Sequence, residues 1–338
     1  FGQGQAFTPQ GTVFNPGATD QSSFIARIII TGPEPSTTEI YNQTTTASAD
    51  AGAFPVAVTF PGTTTAGPGT YQFRLRTELP GDENPLNDEL VGSFTVFAPV
   101  VGGTYSVGTG QPSPFNTLEG AIKRLKTAGI SGPVILELTD ANVTLNSELL
   151  FTDIPGSSAT NTVTIKPATA LPPGAPSGRV SSVAAAGVTI TGSVSGALIK
   201  FINAKNVIFD GSASGGTDRS LSITNSNTGS PIAGFWLSST GAGGGCQKIV
   251  IKNCNITCNA DQSTGINSSF GIIGAGTNLN TFSDGIDNDN NTFMNNAIVK
   301  VRHGIYLRGS NTNPNDNNVI SKNVIGPTSF GSDEIGKA

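Results

Sequence analysis

The side chains best suited to acid–base chemistry lie in the second half of this 338-residue sequence. Asp218 stands beside Arg219, His303 follows Arg302, and Arg308 closes the same stretch. Polysaccharide lyases and hydrolases need paired carboxylates, or carboxylates that hold calcium near a Lys or Arg base. On that pattern Asp218, Arg219 and His303 are the catalytic candidates. A plainer reading competes with each: Asp218–Arg219 as a loop ion pair, His303 as a structural side chain. Asp210, in FDGS, reads as a turn residue, because Asp-Gly is a favourable turn pair.

The run DGIDNDNN (284–291) is the metal candidate. Asp287, Asp289 and Asn291 match the opening D-x-D-x-N of a calcium loop, and Asp284 stands close by. Thr292 occupies the place of the loop's Gly, however, and Ile298 that of its bidentate Glu. A solvated Asn/Asp turn is therefore the competing reading, and calcium is the one cofactor these residues suggest. Asp82, Glu83 and Asp88 in LPGDENPLND raise the same question, but Pro85 and the turn-forming Asn84 and Asn87 account for that segment. Trp236, after Phe235, is either a sugar-stacking platform or a core aromatic. The three cysteines, Cys246, Cys254 and Cys258, make no disulfide framework. Zinc would need four soft ligands, with His303 the only further donor. Buried, inert thiols are the expectation, with one local disulfide as the alternative. No G-x-S-x-G elbow and no P-loop occurs.

The elements that must carry these groups follow from short apolar runs broken by Asn. They are NVIFDGS (206–212), SLSITNSN (220–227), KIVIKNCNI (248–256), NTFMNNAIVKVRHGIYLRG (291–309) and NNVISKNVIG (317–326). Each reads as one short strand ended at a bend by Asn or Gly, and nothing helical lies between them. This predicts a coiled parallel β-structure, rung on rung, with Asn amides paired in a ladder at the bends. Asn253, Asn295 and Asn323 hold comparable places in their runs. Loops are expected to leave the coil at 210–219, 238–247, 258–269, 274–290 and 309–316. The one convincing helix, 115–129, has Asn116 as N-cap, Glu119 completing a capping box, and an apolar stripe of Leu118, Ala121, Ile122 and Leu125. It is placed to cover the first rung of a β-helix spanning 115–338, whose C-terminal end is expected to be incomplete. The strand PVILEL (133–138) follows the helix.

Residues 1–98 read differently. SSFIARIII (22–30), EIYNQTTTAS (39–48), FPVAVTFP (54–61), TYQFRLRTEL (70–79) and ELVGSFTVF (89–97) alternate as sandwich strands. Residues 1–20 read as an extended arm available for strand donation to another subunit. A Pro/Gly linker, 99–114, joins the two parts.

TPQGTVFNPG near the start, then GPGTYQFRLRTELPGDENPLNDELVGSFTV, resembles the adhesion-type immunoglobulin-like modules of large secreted bacterial surface proteins. Such modules are frequent in Bacteroidetes-type proteins exported by type IX secretion. The order GTYSVG, helix, SGPVILEL, IPGSSATNTVTIKPA, NVIFDGS resembles right-handed parallel β-helix domains of the same proteins. The resemblance implies an extracellular, cell-surface structural or adhesive protein, a segment of a larger one or a subunit of a filament or sheath. Its partners would be other copies or neighbouring segments, with polysaccharide as a further ligand. The alternative is a polysaccharide-active β-helix enzyme with an accessory sandwich.

Composition narrows the classes. Only 12% of residues are charged, against roughly 25% in ordinary soluble proteins. A net charge of −5 opposes nucleic-acid binding, which needs a basic face. No apolar run of membrane-spanning length occurs.

Overall fold

A computed structural model describes residues 1–65, 67–82, 84, 86–169, 187–258 and 268–326. The chain is almost entirely β and divides into two compact units, Phe1–Pro99 and Val100–Ala338. Among the described residues no helix is long and apolar enough to cross a membrane.

The first unit holds β1 (Ala6–Phe7), β2 (Gln10–Val13), β3 (Gln21–Thr31), β4 (Glu39–Ala49), β5 (Val56–Thr59), β6 (Thr63–Thr64), β7 (Gly69–Glu78) and β8 (Glu89–Val96). An antiparallel sheet runs β4-β3-β7-β8, and two short antiparallel ladders pair β1 with β6 and β2 with β5. Alternation sorts β7 as its sequence requires. Tyr71 and Leu75 are buried, while Gln72, Arg74 and Arg76 face water. On that wet side Arg27 and Arg76 both meet Glu78, each at 2.7 Å, and Arg74 meets Glu89 at 2.9 Å. Phe24, Ile28, Ile30, Val58, Phe60 and Tyr71 fill the core shared by the sheet and the ladders. Residues 1–20 are not a loose arm. Gly2 bridges Phe97, β1 and β2 are paired within the unit, and the Asp20 carboxylate accepts from the Ala51 N–H at 2.9 Å.

The second unit opens with β9 (Gly103–Val107) and α1 (Leu118–Ala128). The segment read as a linker thus carries a strand, because β9 finds its partner about thirty residues later in the chain, beyond the reach of local pattern. The helix starts one residue later than expected. Thr117, not Asn116, is the N-cap, and its hydroxyl accepts from the Gly120 N–H at 3.1 Å. The stripe Leu118, Ala121, Ile122, Leu125 is buried as its spacing requires, and Gly129 ends the helix at φ 76°.

The chain then passes repeatedly through three faces: β10 (Val134–Leu138), β11 (Asn142–Thr144), β12 (Leu149–Phe151); β13 (Val163–Pro167), β14 (Val188–Gly192), β15 (Gly196–Ile202); β16 (Val207–Asp210), β17 (Leu221–Asn225), β18 (Ile232–Ser238); β19 (Val250–Lys252), β20 (Cys254–Cys258), β21 (Ser269–Ala275); β22 (Thr292–Met294), β23 (Ala297–Val299), β24 (His303–Leu307); β25 (Val319–Ser321), β26 (Val324–Ile325). Every strand pairs in parallel with the strand of the same face one rung away. The sheets β9-β10-β13-β16-β19-β22-β25, β11-β14-β17-β20-β23-β26 and β12-β15-β18-β21-β24 therefore stack as parallel sheets around one interior.

Register lines the interior with apolar columns. The first face contributes Leu136, Ile165, Phe209, Ile251, Phe293 and Ile320. The second contributes Val143, Ile190, Ile223, Ile256, Ile298 and Ile325. β-branched side chains suit these places because they pack well on a pleated surface. Most of the Asn-punctuated runs make more than one strand. KIVIKNCNI bends at Asn253 (φ 59°) between β19 and β20, so one run serves two faces.

Candidate functional site

The Asn and Asp candidates of the sequence fall at the corners and loops of the coil, whereas His303 and Trp236 lie in strands of its third face. Asn206, Lys248, Asn290 and Asn317 adopt left-handed backbone at one corner, and Asn253, Asn295 and Lys322 at another. The expected amide ladder exists between Asn295 Nδ2 and Asn253 Oδ1 at 2.8 Å. Asn323 does not continue it. Register places Lys322 opposite Asn295 and puts Asn323 opposite Asn296.

A deeper set of Asn residues, unrecognised in the sequence, does more. Each accepts at Oδ1 the N–H of the rung before it, across 42 and then 27 residues of chain. Cys246 N–H bonds Asn288 at 2.8 Å, and Asn288 N–H bonds Asn315 at 3.0 Å. Ile249 N–H bonds Asn291 at 2.9 Å, and Asn291 N–H bonds Asn318 at 2.8 Å. Cys254 N–H bonds Asn296 at 3.0 Å, and Asn296 N–H bonds Asn323 at 2.9 Å. The amide nitrogens of Asn291 and Asn296 donate in turn to the carbonyls of Cys246 and Ile251. Buried corners thereby satisfy backbone groups that the sheet ladders leave over.

This arrangement disperses the calcium candidates. Asn291 is buried as a column member. The Asp284 carboxylate accepts from Arg308 Nε. Asp287 accepts from the Gly243 N–H, and Asp289 from the Asp316 N–H at 2.7 Å. Gly245 packs so tightly on this bend that a Cβ there would lie 1.9 Å from the Asp287 carbonyl oxygen. Among the described residues no group of three His, Cys, Asp or Glu side chains converges as a metal would require.

Asp218 and Arg219 likewise turn to different partners. Burial raises the Asp218 pKa, but the hydroxyls of Ser212, Ser214 and Ser220 and the Ala213 N–H hold it well below the usual carboxylate range. Arg219 reaches Asn295 instead, with Nε 2.7 Å from the carbonyl oxygen and Nη2 2.9 Å from Oδ1. The expected ion pair between the two is not formed, because the serine-rich loop already surrounds the carboxylate. Asp210 makes the expected turn, accepting from the Ser212 N–H at 3.1 Å, and pairs with Lys252 at 3.0 Å.

A carboxylate held below its unfolded value of about 3.9 adds stability that is complete above that pH and is lost as pH falls through the folded value. Native Asp218 is therefore expected to steepen acid destabilisation between about pH 5 and pH 2. A denaturation series across that range should show a shallower slope for Asp218→Asn. Equal slopes would refute the assignment.

His303 lies on the outer side of the third face. Its ring stacks on Phe270, with centroids 5.0 Å apart, and meets Tyr306 edge-on at 5.6 Å. Burial, then Arg302, pushes its pKa below the ordinary value. Trp236 belongs to the same outer cluster and not to the coil interior, which Phe235 enters. Lys200 Nζ sits 3.8 Å over the Trp236 ring and 4.0 Å from Glu148. Burial raises the Glu148 pKa, with Lys200 opposing.

All three cysteines are free and buried. Burial pushes Cys246 and Cys258 up to about 12, and raises Cys254 as well. Three decades of thiolate population separate such groups from an exposed thiol, so alkylation at pH 8 is expected to run at least about 1000-fold slower in the native chain than in urea. Mass-resolved labelling should find three reactive thiols after unfolding. Rapid labelling of any cysteine in the native protein would contradict the placement.

The sequence matches no protein-family model and no curated protein.

Proposed function

We propose that this chain is an extracellular structural or adhesive protein of the bacterial cell surface, a segment of a larger surface protein or a subunit of a filament or sheath, of the type IX secretion kind. The observation that carries this reading is where the polar side chains are used. The Asp and Asn candidates for chemistry hold loops and corners together, while the interior is a continuous apolar column along the stack. A stack of this kind gives length and durability, and each rung contacts only its neighbours.

The finer architecture belongs to the same proposal. The coil is right-handed, as parallel crossover connections nearly always are. Helix α1 caps its first rung: its buried stripe joins the same apolar cluster as Val107, Leu136 and Leu149. The first unit is an immunoglobulin-like module.

Immunogold labelling of intact source cells with antibody against the purified chain tests the location. Surface label on unpermeabilised cells is the expected result, and label only after permeabilisation would overturn the reading. Incubation with acidic and neutral polysaccharides is expected to release no products. Cleavage that disappears on Asp218→Ala would establish an enzyme instead.

A further inference from the structure

The outward side of the second face is built unlike that of the other two. Alternation turns Val143, Ile190, Ile223 and Ile256 into the coil and sends the residues on either side of them out. Register carries those outward residues into two ranks. Thr144, Thr191, Thr224 and Thr257 follow one another on successive rungs, with Val299 next. Asn142, Thr189, Ser222 and Asn255 form the rank beside it, with Ala297 next. Neither rank holds a charged or aromatic side chain. The first face, by contrast, turns Glu137 and Lys166 outward as neighbours, then Asp210 and Lys252. On the third face the outward Trp236, Phe270 and Ile273 are buried in a cluster with Leu279. Asn142 and Thr144 are exposed, and the ranked residues of the next three rungs are half-buried. Thr191 donates its hydroxyl to the Thr224 carbonyl at 3.2 Å, and Asn255 its amide to the Arg219 carbonyl at 2.9 Å. Among the described residues, the hydroxyls of Thr144, Thr189, Ser222, Thr224 and Thr257 make no hydrogen bond to the rest of the chain.

We propose that this face binds ice. Neighbouring parallel strands lie about 4.8 Å apart, and alternate residues of one strand about 6.6 Å apart. The two ranks therefore present hydroxyl and methyl groups on a regular grid. Its repeats come close to those of the water oxygens on a prism face of hexagonal ice. Threonine suits such a grid in two ways. Its branched Cβ restricts χ1, so the hydroxyls of one rank share a direction. Its methyl group excludes loose water from between the anchored molecules. The apolar column beneath holds the rungs in place. Water held between fixed hydroxyls has already given up freedom that freezing would remove. Other ligands ask for what the face lacks. A protein partner is anchored mainly by Trp, Tyr or Arg, a sugar ring stacks on an aromatic side chain, and an ion needs an opposite charge.

Ice binding goes beyond the surface-protein reading and does not depend on where the chain is displayed. The test follows the full chain, carrying a fluorophore on its lysines, at the front of a slowly grown ice hemisphere. Single ice crystals in the same solution are watched by microscopy. No lysine occupies an outward position of β11, β14, β17, β20 or β23, so the label leaves the grid free. The native chain is expected to enter the ice and to facet the crystals. Thr191→Lys combined with Thr224→Lys should lower the ice-bound fraction at least about tenfold, a change that corresponds to roughly one lost hydrogen bond where several are disrupted. Thr164→Lys is the control. It stands outward on the first face, like the pair it is compared with, and should leave ice binding unchanged. Exclusion of the native chain from the ice would overturn the proposal whatever the variants do. Equal binding by all three proteins, or an equal loss in Thr164→Lys, would overturn it as well. So would retention on crystalline chitin or cellulose that the double variant abolishes, without adsorption to ice, which would make a crystalline polysaccharide the ligand.

Discussion

Asn296→Ala is expected to cost about 3 kcal/mol or more of coil stability, since it strands at least two buried backbone groups at about 1–3 kcal/mol each. Asn296 is fully buried. Its Oδ1 accepts the Cys254 N–H at 3.0 Å and its Nδ2 donates to the Ile251 carbonyl at 2.8 Å. Water cannot replace either partner without opening the corner. Asn296→Asp retains the acceptor but removes the donor and buries a charge, so it should be at least as damaging near neutral pH and milder in acid. Urea unfolding of both variants measures this, and a loss below about 1 kcal/mol for alanine would show that the columns decorate the corners without supporting them.

Phe209→Ala should cost about 3–5 kcal/mol, the usual range for deleting a large buried aromatic. Phe209 is fully buried. It meets Phe235 at 5.2 Å and Phe151 at 5.7 Å edge-on, and stands in register between Ile165 and Ile251. Neighbouring strands fix its surroundings on both sides, so collapse into the cavity is limited. Phe282→Ala is the control: that ring is 62% exposed, and the change should fall within about 0.5 kcal/mol. Comparable losses for the two variants would mean that the interior is not packed as described.

Much of this architecture was legible because its signals are local. The alternation in TYQFRLRTEL sorts Tyr71 from Arg74 without knowledge of any partner strand. The helix stripe and the β-branched runs behave likewise. What escaped depends on pairing between distant segments. GTYSV lies among glycines and becomes a strand only against Val134–Leu138. Residues 6–13 are ordered by Val56–Thr59 and Thr63–Thr64. The acidic run at 284–291 looked like a cation loop because sequence gives composition and not direction. Left-handed backbone at Asp287 and Asn290 helps send successive side chains apart, toward Gly243, Asp316 and the interior. One missed signal was present in plain sight. NDNNTFMNN at 288–296 and NDNNVISKN at 315–323 are a repeat, and aligning them assigns Asn323 to the column of Asn296, not to that of Asn295.

The chain has a single tryptophan, and it lies in the second unit, nearly buried beneath the ammonium of Lys200. Selective excitation of that indole therefore gives an optical readout confined to the coil. The first unit answers only through Tyr41 and Tyr71, with Tyr105 and Tyr306 sharing that band from the second. A melt followed at the indole band and again by far-ultraviolet dichroism can separate two transitions without cutting the chain. Lys200→Met would change the brightness of the indole and so identify the spectral signature of the cation above the ring.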